Sequence, residues 1–277
     1  MMSASAADTK TALYCVLGDP VAHSLSPAMH NRAFAYHGLN AAYLAFQVTE
    51  LEAAIGGLRA LGISGASITL PHKSRVMDYL DDIDPVAAKI GAVNTIINTD
   101  GRLIGKNSDV SGALDALQDI TDPAAKKVLI LGAGGAARAI GYGVRTQGAR
   151  VTIANRSSKA GASLAADLEV DFLPLADVIP DHFDILINTT PVGMHPAHEV
   201  SPIPEGSLSG DMVVMDIVYN PLETRLLKAA GQAGCRTIDG LAMFVNQGVR
   251  QFEWWTGLKA PVDLMRRAAV EKLREYK

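Results

Sequence analysis

The chain has 277 residues, of which 48% are hydrophobic, and its formal net charge at pH 7 is −4. Such a length predicts about two domains, each able to bury a core, and the composition excludes an intrinsically disordered chain. The charge offers no general footprint for nucleic acid or an anionic membrane, and no segment approaches the ~18 apolar residues of a membrane span. The opening stretch MMSASAADTK lacks the basic and apolar regions of a signal peptide and is interpreted as a short disordered tail.

The cysteines and loop histidines do not predict a metal site. Cys15 and Cys235 lie far apart, and neither belongs to a CxxC or Cys/His ligand pattern. They are interpreted as packed thiols of a reducing compartment, so we expect a cytoplasmic protein. His182, His195 and His198 stand in polar surroundings without metal-ligand spacing.

Three short apolar runs predict buried strands in the first part of the chain, at residues 13–18, 43–48 and 66–70. Between the first two, Ser26 and Pro27 predict the start of a helix, with Ser26 as N-cap. Ser24 has no such structural explanation. Two hydroxyls on a loop that leads into a helix N-terminus are suited to bind a small carboxylate.

Two features flank the third predicted strand. Thr49 and Glu52 match a capping box and predict a helix that runs to about residue 61. Lys73 follows the strand closely, at a carboxyl edge of the sheet where open α/β folds bind ligands. A single lysine is nevertheless most often solvated surface.

Residues 90–107 predict a hairpin in which VNTIIN pairs with RLIGKN across the turn dipeptide Asp100-Gly101. Asp109 follows, just before a helical pattern at residues 110–117, and a lone carboxylate there is most often an N-cap. We interpret residues 111–125 as the crossing from a first domain to a second.

The stretch VLILGAGGAAR fits the fingerprint of a dinucleotide site. A buried strand at residues 128–131 precedes G-x-G-x-x-A, and a helical pattern follows at residues 136–144. Gly132 permits the tight turn, Gly134 allows a pyrophosphate to approach the backbone, and Ala137 allows the helix to pack closely on the strand. The phosphates would lie at the N-terminus of the helix.

The next strand, at residues 150–154, ends in Asn155-Arg156-Ser157 and carries no acidic residue at its tip. A site that prefers NAD usually has an Asp or Glu there, whereas a guanidinium suits a 2′-phosphate. Arg156 therefore favours NADP over NAD. Lys159 either adds charge or is solvated on a helix predicted at residues 158–168.

Parallel βαβ units are predicted through this half of the chain, with further buried strands at residues 183–188 and 212–217. The first of these strands leads into TTPVGM, a turn expected near the nicotinamide. After the second, Asn220, Pro221 and Glu223 resemble a capping box and predict a helix start.

Two helices are predicted at the C-terminal end, at residues 241–255 and 262–276. The packing stripe of the first is formed by Leu241, Phe244, Val245, Gly248, Phe252 and Trp255. Met243, Gln247 and Gln251 fall on another face. Two glutamines in register there are able to hydrogen-bond a polyol, although helix glutamines are commonly just solvated. The last helix is interpreted as structural.

Together, nine blocks follow the order of the shikimate dehydrogenase family, and the resemblance covers nearly the whole chain after its first dozen residues. The blocks are GDPVAHSLSPAMHN, SITLPHK, GAVNT, GKNSD, GAGGAARA, NRS, NTTPVGM, DIVYNPLET and DGLAMFVNQG. The resemblance implies an α/β chain of two domains. Residues 1–110, completed by about 246–277, would be the substrate-binding catalytic domain, and residues 111–245 a Rossmann NADP-binding domain. The C-terminal helices would return to the first domain.

The implied reaction is the reversible, NADP-dependent reduction of 3-dehydroshikimate to shikimate, in chorismate and aromatic amino acid biosynthesis. Lys73 and Asp109 match the catalytic pair of the family. The predicted substrate-binding residues are Ser24, Ser26, Ser67, Thr69, Asn94, Tyr219, Gln247 and Gln251. The predicted cofactor-binding residues are Gly132, Gly134, Gly135, Ala136, Asn155, Arg156, Ser157, Lys159, Thr189, Met194, Ile217, Gly240 and Met243. The expected partners are this substrate and NADP, without nucleic acid, membrane or metal, in a monomer or homodimer.

Three departures from the family pattern affect these expectations. Ser67 stands where many shikimate-specific members have asparagine, and a serine hydroxyl does not offer the donor and acceptor of an amide together. Ser108 replaces the usual threonine and keeps the hydroxyl, and Lys159 comes one residue sooner than the usual basic residue. Ser67 thus leaves open the alternative that the chain is a relative that acts on quinate or aminoshikimate, with NAD as its cofactor.

Two further alternatives are weaker. A non-catalytic sensor on the same fold should have lost Lys73 or Asp109, and both are present. A folate-type dehydrogenase on a similar two-domain plan would not explain the paired serines of the SLSP block.

Overall fold

The computed structural model describes residues 7–204 and 206–276, so part of the stretch interpreted as a tail lies outside the described residues. The chain divides into two compact units. The first comprises Met1–Ser108 with Gln247–Lys277, and the second comprises Asp109–Asn246. Within the described ranges, no helix is both long and apolar enough to cross a bilayer.

The first unit is built on a mixed sheet of six strands. In chain order the strands are β1 (Ala12–Gly18), β2 (Ala41–Gln47), β3 (Gly65–Ile68), β4 (Asp82–Ile83), β5 (Thr95–Thr99) and β6 (Arg102–Lys106). Their order across the sheet is β2-β1-β3-β5-β6-β4. β1 pairs in parallel with β2 and β3, whereas β5 is antiparallel to β3 and β6. The three strands predicted in this part of the chain are confirmed.

The helices of the first unit begin with α1 (Ser26–Tyr36), α2 (Leu51–Ala60) and α3 (Pro85–Ile90), and a short 3-10 helix covers Arg75–Tyr79. Asp84 caps α3, because its carboxylate accepts a hydrogen bond from the Val86 N–H at 2.9 Å. α3 and β4 were not predicted from the sequence.

The predicted hairpin is confirmed. β5 and β6 pair with Thr99 opposite Arg102, so Asp100 and Gly101 form a two-residue turn. Their φ angles are 51° and 88°, the left-handed values that a twisted hairpin turn requires at both central positions. The Asp-Gly dipeptide tolerates these angles, which explains why two residues were enough to predict the turn.

Two predicted helix caps in this unit are wrong. α1 has Leu25 as its N-cap, and Ser26 is already the first helical residue. The Ser24 hydroxyl instead accepts a hydrogen bond from the Ser26 N–H at 3.3 Å. α2 has Glu50 as its N-cap without a side-chain cap bond, so the capping box predicted at Thr49 and Glu52 does not form.

The second unit contains an all-parallel sheet of six strands. In chain order they are β7 (Lys127–Leu131), β8 (Arg150–Asn155), β9 (Asp171–Pro174), β10 (Ile185–Asn188), β11 (Val213–Asp216) and β12 (Arg236–Ile238). The order across the sheet is β12-β11-β10-β7-β8-β9. This is the doubly wound Rossmann order, in which the winding reverses between β7 and β10.

The helices of this unit are α4 (Asp109–Gln118), α5 (Gly135–Thr146), α6 (Ser158–Leu168) and α7 (Arg225–Gln232), with 3-10 turns at Leu175–Asp177 and Pro180–His182. The stretch interpreted as a crossing is largely α4, which packs on α5. A Cβ at Gly143 would lie 3.1 Å from Val110. Two final helices follow, α8 (Gly240–Thr256), whose residues are divided between the units, and α9 (Val262–Arg274).

β7 is buried on both faces, as its uninterrupted apolar run predicts. Val128 and Ile130 belong to the hydrophobic cluster on one face of the sheet, whereas Leu129 and Leu131 belong to the cluster on the other. All four side chains are at most 1% exposed. A parallel strand covered by helices on both faces needs such a sequence, because successive side chains point to opposite faces.

The helix start predicted at Asn220, Pro221 and Glu223 is wrong. α7 begins at Arg225, and its N-cap is Thr224, whose hydroxyl accepts a hydrogen bond from the Leu227 N–H at 3.3 Å. The short edge strands β9 and β12 were also not predicted. Their residues are mostly exposed or half-buried, so they lack the apolar run on which the other predictions depend.

Candidate functional site

The glycine loop joins β7 to α5 at the point where the winding of the second sheet reverses. Gly132 has a φ of +115°, and a Cβ there would lie 2.5 Å from Thr189 Oγ1. Both observations require glycine at this position. Thr189 is fixed in turn, since its hydroxyl donates a 2.6 Å hydrogen bond to the Leu131 carbonyl.

Gly134 has different surroundings. It is the N-cap of α5 and has an extended backbone conformation, and a Cβ there would meet no atom within 4 Å. The space above Gly134 is therefore open, at the N-terminus of a helix whose first residues are Gly135 and Ala136. Ala137 is fully buried against the sheet. Open space beside unpaired helix N–H groups is the geometry that a pyrophosphate needs, so these residues fit a dinucleotide.

The tip of β8 provides the second part of this candidate cofactor site. Asn155 ends the strand, and its amide donates a 3.0 Å hydrogen bond to the Ser157 carbonyl. Ser157 caps α6 by accepting from the Ala160 N–H at 3.4 Å. Arg156, between them, is exposed, as is Lys159 on the first turn of α6. An exposed guanidinium at a strand tip without an acidic residue fits the 2′-phosphate of NADP.

The carboxyl ends of β10 and β11 are tied together by a buried aspartate. Asp216 accepts hydrogen bonds from the Asn188 amide at 2.9 Å, the Thr224 hydroxyl at 2.7 Å and the Val218 N–H at 3.0 Å. Burial raises the pKa of Asp216 to about 6, although these three hydrogen bonds oppose the shift. Sequence reasoning did not identify Asp216, whose carboxyl meets Asn188 of the neighbouring strand only in the folded sheet.

The other residues predicted to bind cofactor in this unit differ in their surroundings. Met194 is 47% exposed, whereas Met243 is 6% exposed and packs in the hydrophobic core. Ile217 packs on the same core, and a Cβ at Gly240 would lie 2.5 Å from the Ile217 backbone. Gly240 is therefore required for close packing of α8 on the end of β11.

Tyr219, predicted to bind substrate, belongs to the second unit. It is half-buried, and its ring centroid lies 4.9 Å from that of Phe244. This contact orients the phenol on the loop that follows β11.

The remaining predicted substrate-binding residues belong to the first unit, where several meet in a buried polar cluster. The Asn94 amide donates to Ser108 Oγ at 2.9 Å, and the Ser108 N–H donates back to Asn94 Oδ1 at 2.8 Å. Ser108 Oγ also lies 3.4 Å from Gln247 Oε1. The hydroxyl that Ser108 shares with threonine is thus what this cluster uses.

Gln251 lies one helical turn beyond Gln247 and is 1% exposed. Its amide nitrogen donates to the Asn94 carbonyl at 3.2 Å and to Thr95 Oγ1 at 3.0 Å. Its amide oxygen accepts from Ser67 Oγ at 2.8 Å. Both N–H donors of Gln251 and one lone pair of its amide oxygen are therefore engaged by protein groups, unlike those of a glutamine that is merely solvated.

Ser67 also accepts a 2.6 Å hydrogen bond from Tyr43, a fully buried residue of β2 that sequence reasoning did not identify. The ring of His30, from α1, stacks on Tyr43 with centroids 4.6 Å apart. The Asn31 side chain makes two hydrogen bonds to the Tyr43 backbone. Its amide nitrogen donates to the Tyr43 carbonyl at 2.9 Å, and its amide oxygen accepts from the Tyr43 N–H at 2.7 Å. The SPAMHN block contains His30 and Asn31, about one turn beyond Ser26, but carries no signal for Tyr43 itself.

The two proposed catalytic residues lie in different units. Lys73 follows β3 in the first unit, and its carbonyl accepts a 2.8 Å hydrogen bond from the Val93 N–H. Asp109 is the first residue of α4 in the second unit and is 5% exposed.

Among the described residues, no group of three or more His, Cys, Asp or Glu side chains is arranged to hold a metal ion.

Comparison with known proteins places these features in one family. Residues 16–96 match the shikimate dehydrogenase substrate binding domain, residues 115–219 the shikimate/quinate 5-dehydrogenase family, and residues 240–270 the shikimate 5′-dehydrogenase C-terminal domain. The chain is 47% identical, over 274 residues, to the shikimate dehydrogenase (NADP(+)) of Symbiobacterium thermophilum, covering 93% of each chain.

The chain belongs to the shikimate dehydrogenase family.

Solved structures of shikimate dehydrogenases agree with this assignment. One, a crystal structure in complex with NADP+, has a TM-score of 0.94 and 43% identity, with 98% of this chain and 99% of that chain covered. Another, from Thermus thermophilus in complex with NADP(H) and shikimate, has a TM-score of 0.89 and 36% identity, with coverage of 95% and 100%. The predicted family and the predicted α/β fold are therefore confirmed.

Proposed function

We propose that this chain is an NADP-dependent shikimate dehydrogenase that interconverts 3-dehydroshikimate and shikimate, a step of chorismate and aromatic amino acid biosynthesis. The observation that carries the proposal is its similarity, over nearly its whole length, to enzymes named for this activity and cofactor. The Rossmann strand order, the open space above Gly134 and the exposed Arg156 support NADP as the cofactor.

In this proposal the second unit holds NADP and the first unit holds the substrate. The N–H groups at the start of α5, from Gly134 to Ala136, would bind the pyrophosphate, and Arg156 the 2′-phosphate. The turn from Thr189 to Met194 and the end of β11 would border the nicotinamide. When bound, NADPH supplies the hydride for ketone reduction and NADP+ accepts it in the opposite direction.

The residues of the chain would handle the proton. Reduction of a ketone places negative charge on its oxygen, so a proton must reach that atom. We assign this transfer to Nζ of Lys73, an ammonium that is able to donate in the reducing direction and to accept in the oxidising direction. Asp109 would accept a hydrogen bond from a substrate hydroxyl.

Binding and orientation of the substrate would fall to hydroxyls and amides, most of them in the first unit. Ser24 and Ser26 stand at the N-terminus of α1, where the helix dipole favours a carboxylate. The ring hydroxyls would bind to Thr69, Asn94 and Gln247, with Tyr219 nearby. Neutral groups of this kind orient a polyol without charge repulsion and add specificity for its hydroxyl pattern.

Quinate is the second candidate substrate, because Ser67 occupies the place where many shikimate-specific members have asparagine.

We further propose a cytoplasmic monomer or homodimer. Both cysteines are buried free thiols, which is usual for a reducing compartment.

Initial rates of cofactor reduction with shikimate and with quinate, each paired with NADP and with NAD, test the proposal. We expect strong activity with shikimate and NADP. Comparable rates with quinate would broaden the substrate range and make Ser67→Asn the next variant. Absence of activity in all four pairs would overturn the proposal in favour of a sensor that retains the fold.

A further inference from the structure

Tyr43, Ser67 and Gln251 form a relay of hydrogen bonds, all within the first unit. They come from β2, β3 and α8, so the relay joins three elements that are far apart in sequence. The three residues are 0%, 7% and 1% exposed, respectively. The relay is therefore a buried network in which every hydrogen bond has a defined direction.

That direction follows from a single backbone carbonyl. The Asn94 carbonyl only accepts, so the Gln251 nitrogen must face it at 3.2 Å, and the Gln251 oxygen must face Ser67 at 2.8 Å. Ser67 consequently donates its only proton to Gln251. Because that proton is committed, the bond of 2.6 Å between Tyr43 and Ser67 is donated by the phenol.

The relay leaves Ser67 with one unused capacity. A serine hydroxyl has one proton and two lone pairs, and the relay occupies the proton and one lone pair. The remaining lone pair is able to accept a hydrogen bond but has no proton to return. Ser67 is thereby suited to a hydroxyl of the substrate and unsuited to its carboxylate.

Tyr43 is itself held in one orientation. Stacking on His30, at an interplanar angle of 13°, fixes the ring, and the two hydrogen bonds to Asn31 fix the backbone. Burial raises the pKa of the phenol, with opposing effects from the Ser67 and Ser26 hydroxyls, so the phenol remains a neutral donor at physiological pH.

We propose that Tyr43 is a positioning residue for substrate binding, which acts through Ser67 by fixing the serine hydroxyl as an acceptor for a substrate hydroxyl. This inference rests on the proposed function. It also assigns Gln251 the task of orienting Ser67 from the opposite side.

The test compares Tyr43→Phe with Tyr14→Phe in steady-state kinetics with shikimate and NADP. Tyr14 is a matched control, because its ring packs on the same Trp255 while its hydroxyl interacts with Ser64, away from Ser67. We expect Tyr43→Phe to raise the KM for shikimate about 3- to 10-fold, the equivalent of one hydrogen bond. We expect kcat and the KM for NADP to change by less than about twofold, and Tyr14→Phe to behave as wild type.

A double-mutant cycle separates positioning from a general structural effect. If Tyr43 acts through Ser67, Tyr43→Phe should add nothing to the KM for shikimate in a Ser67→Ala background. An undiminished rise in that background, an unchanged KM in the single variant, or an equal effect of Tyr14→Phe would each overturn the inference. Gln251→Met, which removes the acceptor of the Ser67 proton, tests the same relay if Tyr43→Phe does not fold.

The outcome for the wild-type protein keeps the two proposals distinct. If the wild type does not oxidise shikimate with NADP, the proposed function fails, and the inference fails with it. If the wild type is active and Tyr43→Phe is indistinguishable from it, the inference alone fails.

Discussion

The Thr224 hydroxyl donates a 2.7 Å hydrogen bond to the buried carboxyl of Asp216 and also accepts one from the Leu227 N–H. The Thr224 side chain thus caps the N-terminus of α7 and also hydrogen-bonds the carboxyl at the end of β11. Asn188, at the end of β10, donates to the same carboxyl at 2.9 Å. Asp216 therefore fixes the ends of two adjacent strands at the carboxyl edge of the sheet, where the proposed nicotinamide turn begins.

Replacing Asp216 with asparagine should change how stability depends on pH. Burial raises the pKa of this carboxyl from 3.8 to about 6, so the folded state binds its proton more tightly than the unfolded state. The tighter proton binding of the folded state stabilises the fold fully below about pH 4, and this stabilisation is lost as the pH rises through about 6. The free energy of unfolding should fall by about 3 kcal/mol across this range. In Asp216→Asn this part of the pH dependence should be absent.

Urea unfolding of wild type and Asp216→Asn at a series of pH values measures the difference directly. The difference in unfolding free energy should change in one direction between about pH 4 and pH 6 and level off above that range. Asp171→Asn, an exposed carboxyl of β9, is the control and should show little change. Parallel pH curves for wild type and Asp216→Asn would contradict the prediction.

Alanine substitutions at the two glycines of the loop should have opposite consequences. Gly134→Ala places a Cβ in open space at an ordinary backbone angle, so stability should be unchanged within about 1 kcal/mol. The methyl group would nevertheless fill the space proposed for the pyrophosphate. We expect the affinity for NADP to fall about tenfold or more, measured by calorimetry.

Gly132→Ala provides the contrast, because its φ is +115° and its Cβ would lie 2.5 Å from Thr189 Oγ1. This variant should lose about 1–3 kcal/mol of stability in urea unfolding without NADP. Wild-type NADP affinity in Gly134→Ala would rule out the proposed phosphate position.

These two glycines illustrate what the sequence predicts well. A positive φ and a buried apolar run are local properties, so adjacent residues determine them. The same holds for the Asp100-Gly101 hairpin. Helix caps were less predictable, because the choice between Asn220 and Thr224 depends on Asp216, whose carboxyl becomes available only in the folded sheet.

The site shows the same division. The glycine loop and Arg156 could be identified locally, and motif order supplied Lys73 and Asp109. Tyr43 could not be identified, since it meets Ser67 across 24 positions, and Ser67 meets Gln251 across 184. Hydrogen bonds between distant elements leave no periodic pattern in a single sequence.

Arg156 should determine the preference between the two nicotinamide cofactors. In Arg156→Ala we expect the KM for NADP to rise about 10- to 100-fold, the range for loss of a hydrogen-bonded charge pair. The KM for NAD should change little, because NAD lacks the 2′-phosphate. Arg150→Ala, an exposed residue at the opposite end of β8, is the matched control. An equal loss for both cofactors would show that Arg156 acts on the strand tip itself.

Lys73→Ala provides the most direct test of the proposed chemistry. Without the ammonium, the proton for the substrate oxygen must come from water, so kcat should fall about 10²- to 10⁴-fold. The Kd for shikimate, measured by calorimetry, should rise only a few fold, because hydroxyls and amides that remain in place provide most of the proposed contacts. Lys89→Ala, an exposed lysine in the last turn of α3, should leave both quantities unchanged.

The comparison of kcat with Kd separates proton transfer from binding. A group that acts only in the transition state lowers kcat without weakening the ground-state complex, whereas a group that only binds substrate raises Kd and spares kcat. Unfolding curves that match wild type would exclude a general loss of structure in Lys73→Ala. Wild-type turnover in this variant would remove Lys73 from the mechanism and leave the proton transfer to another group.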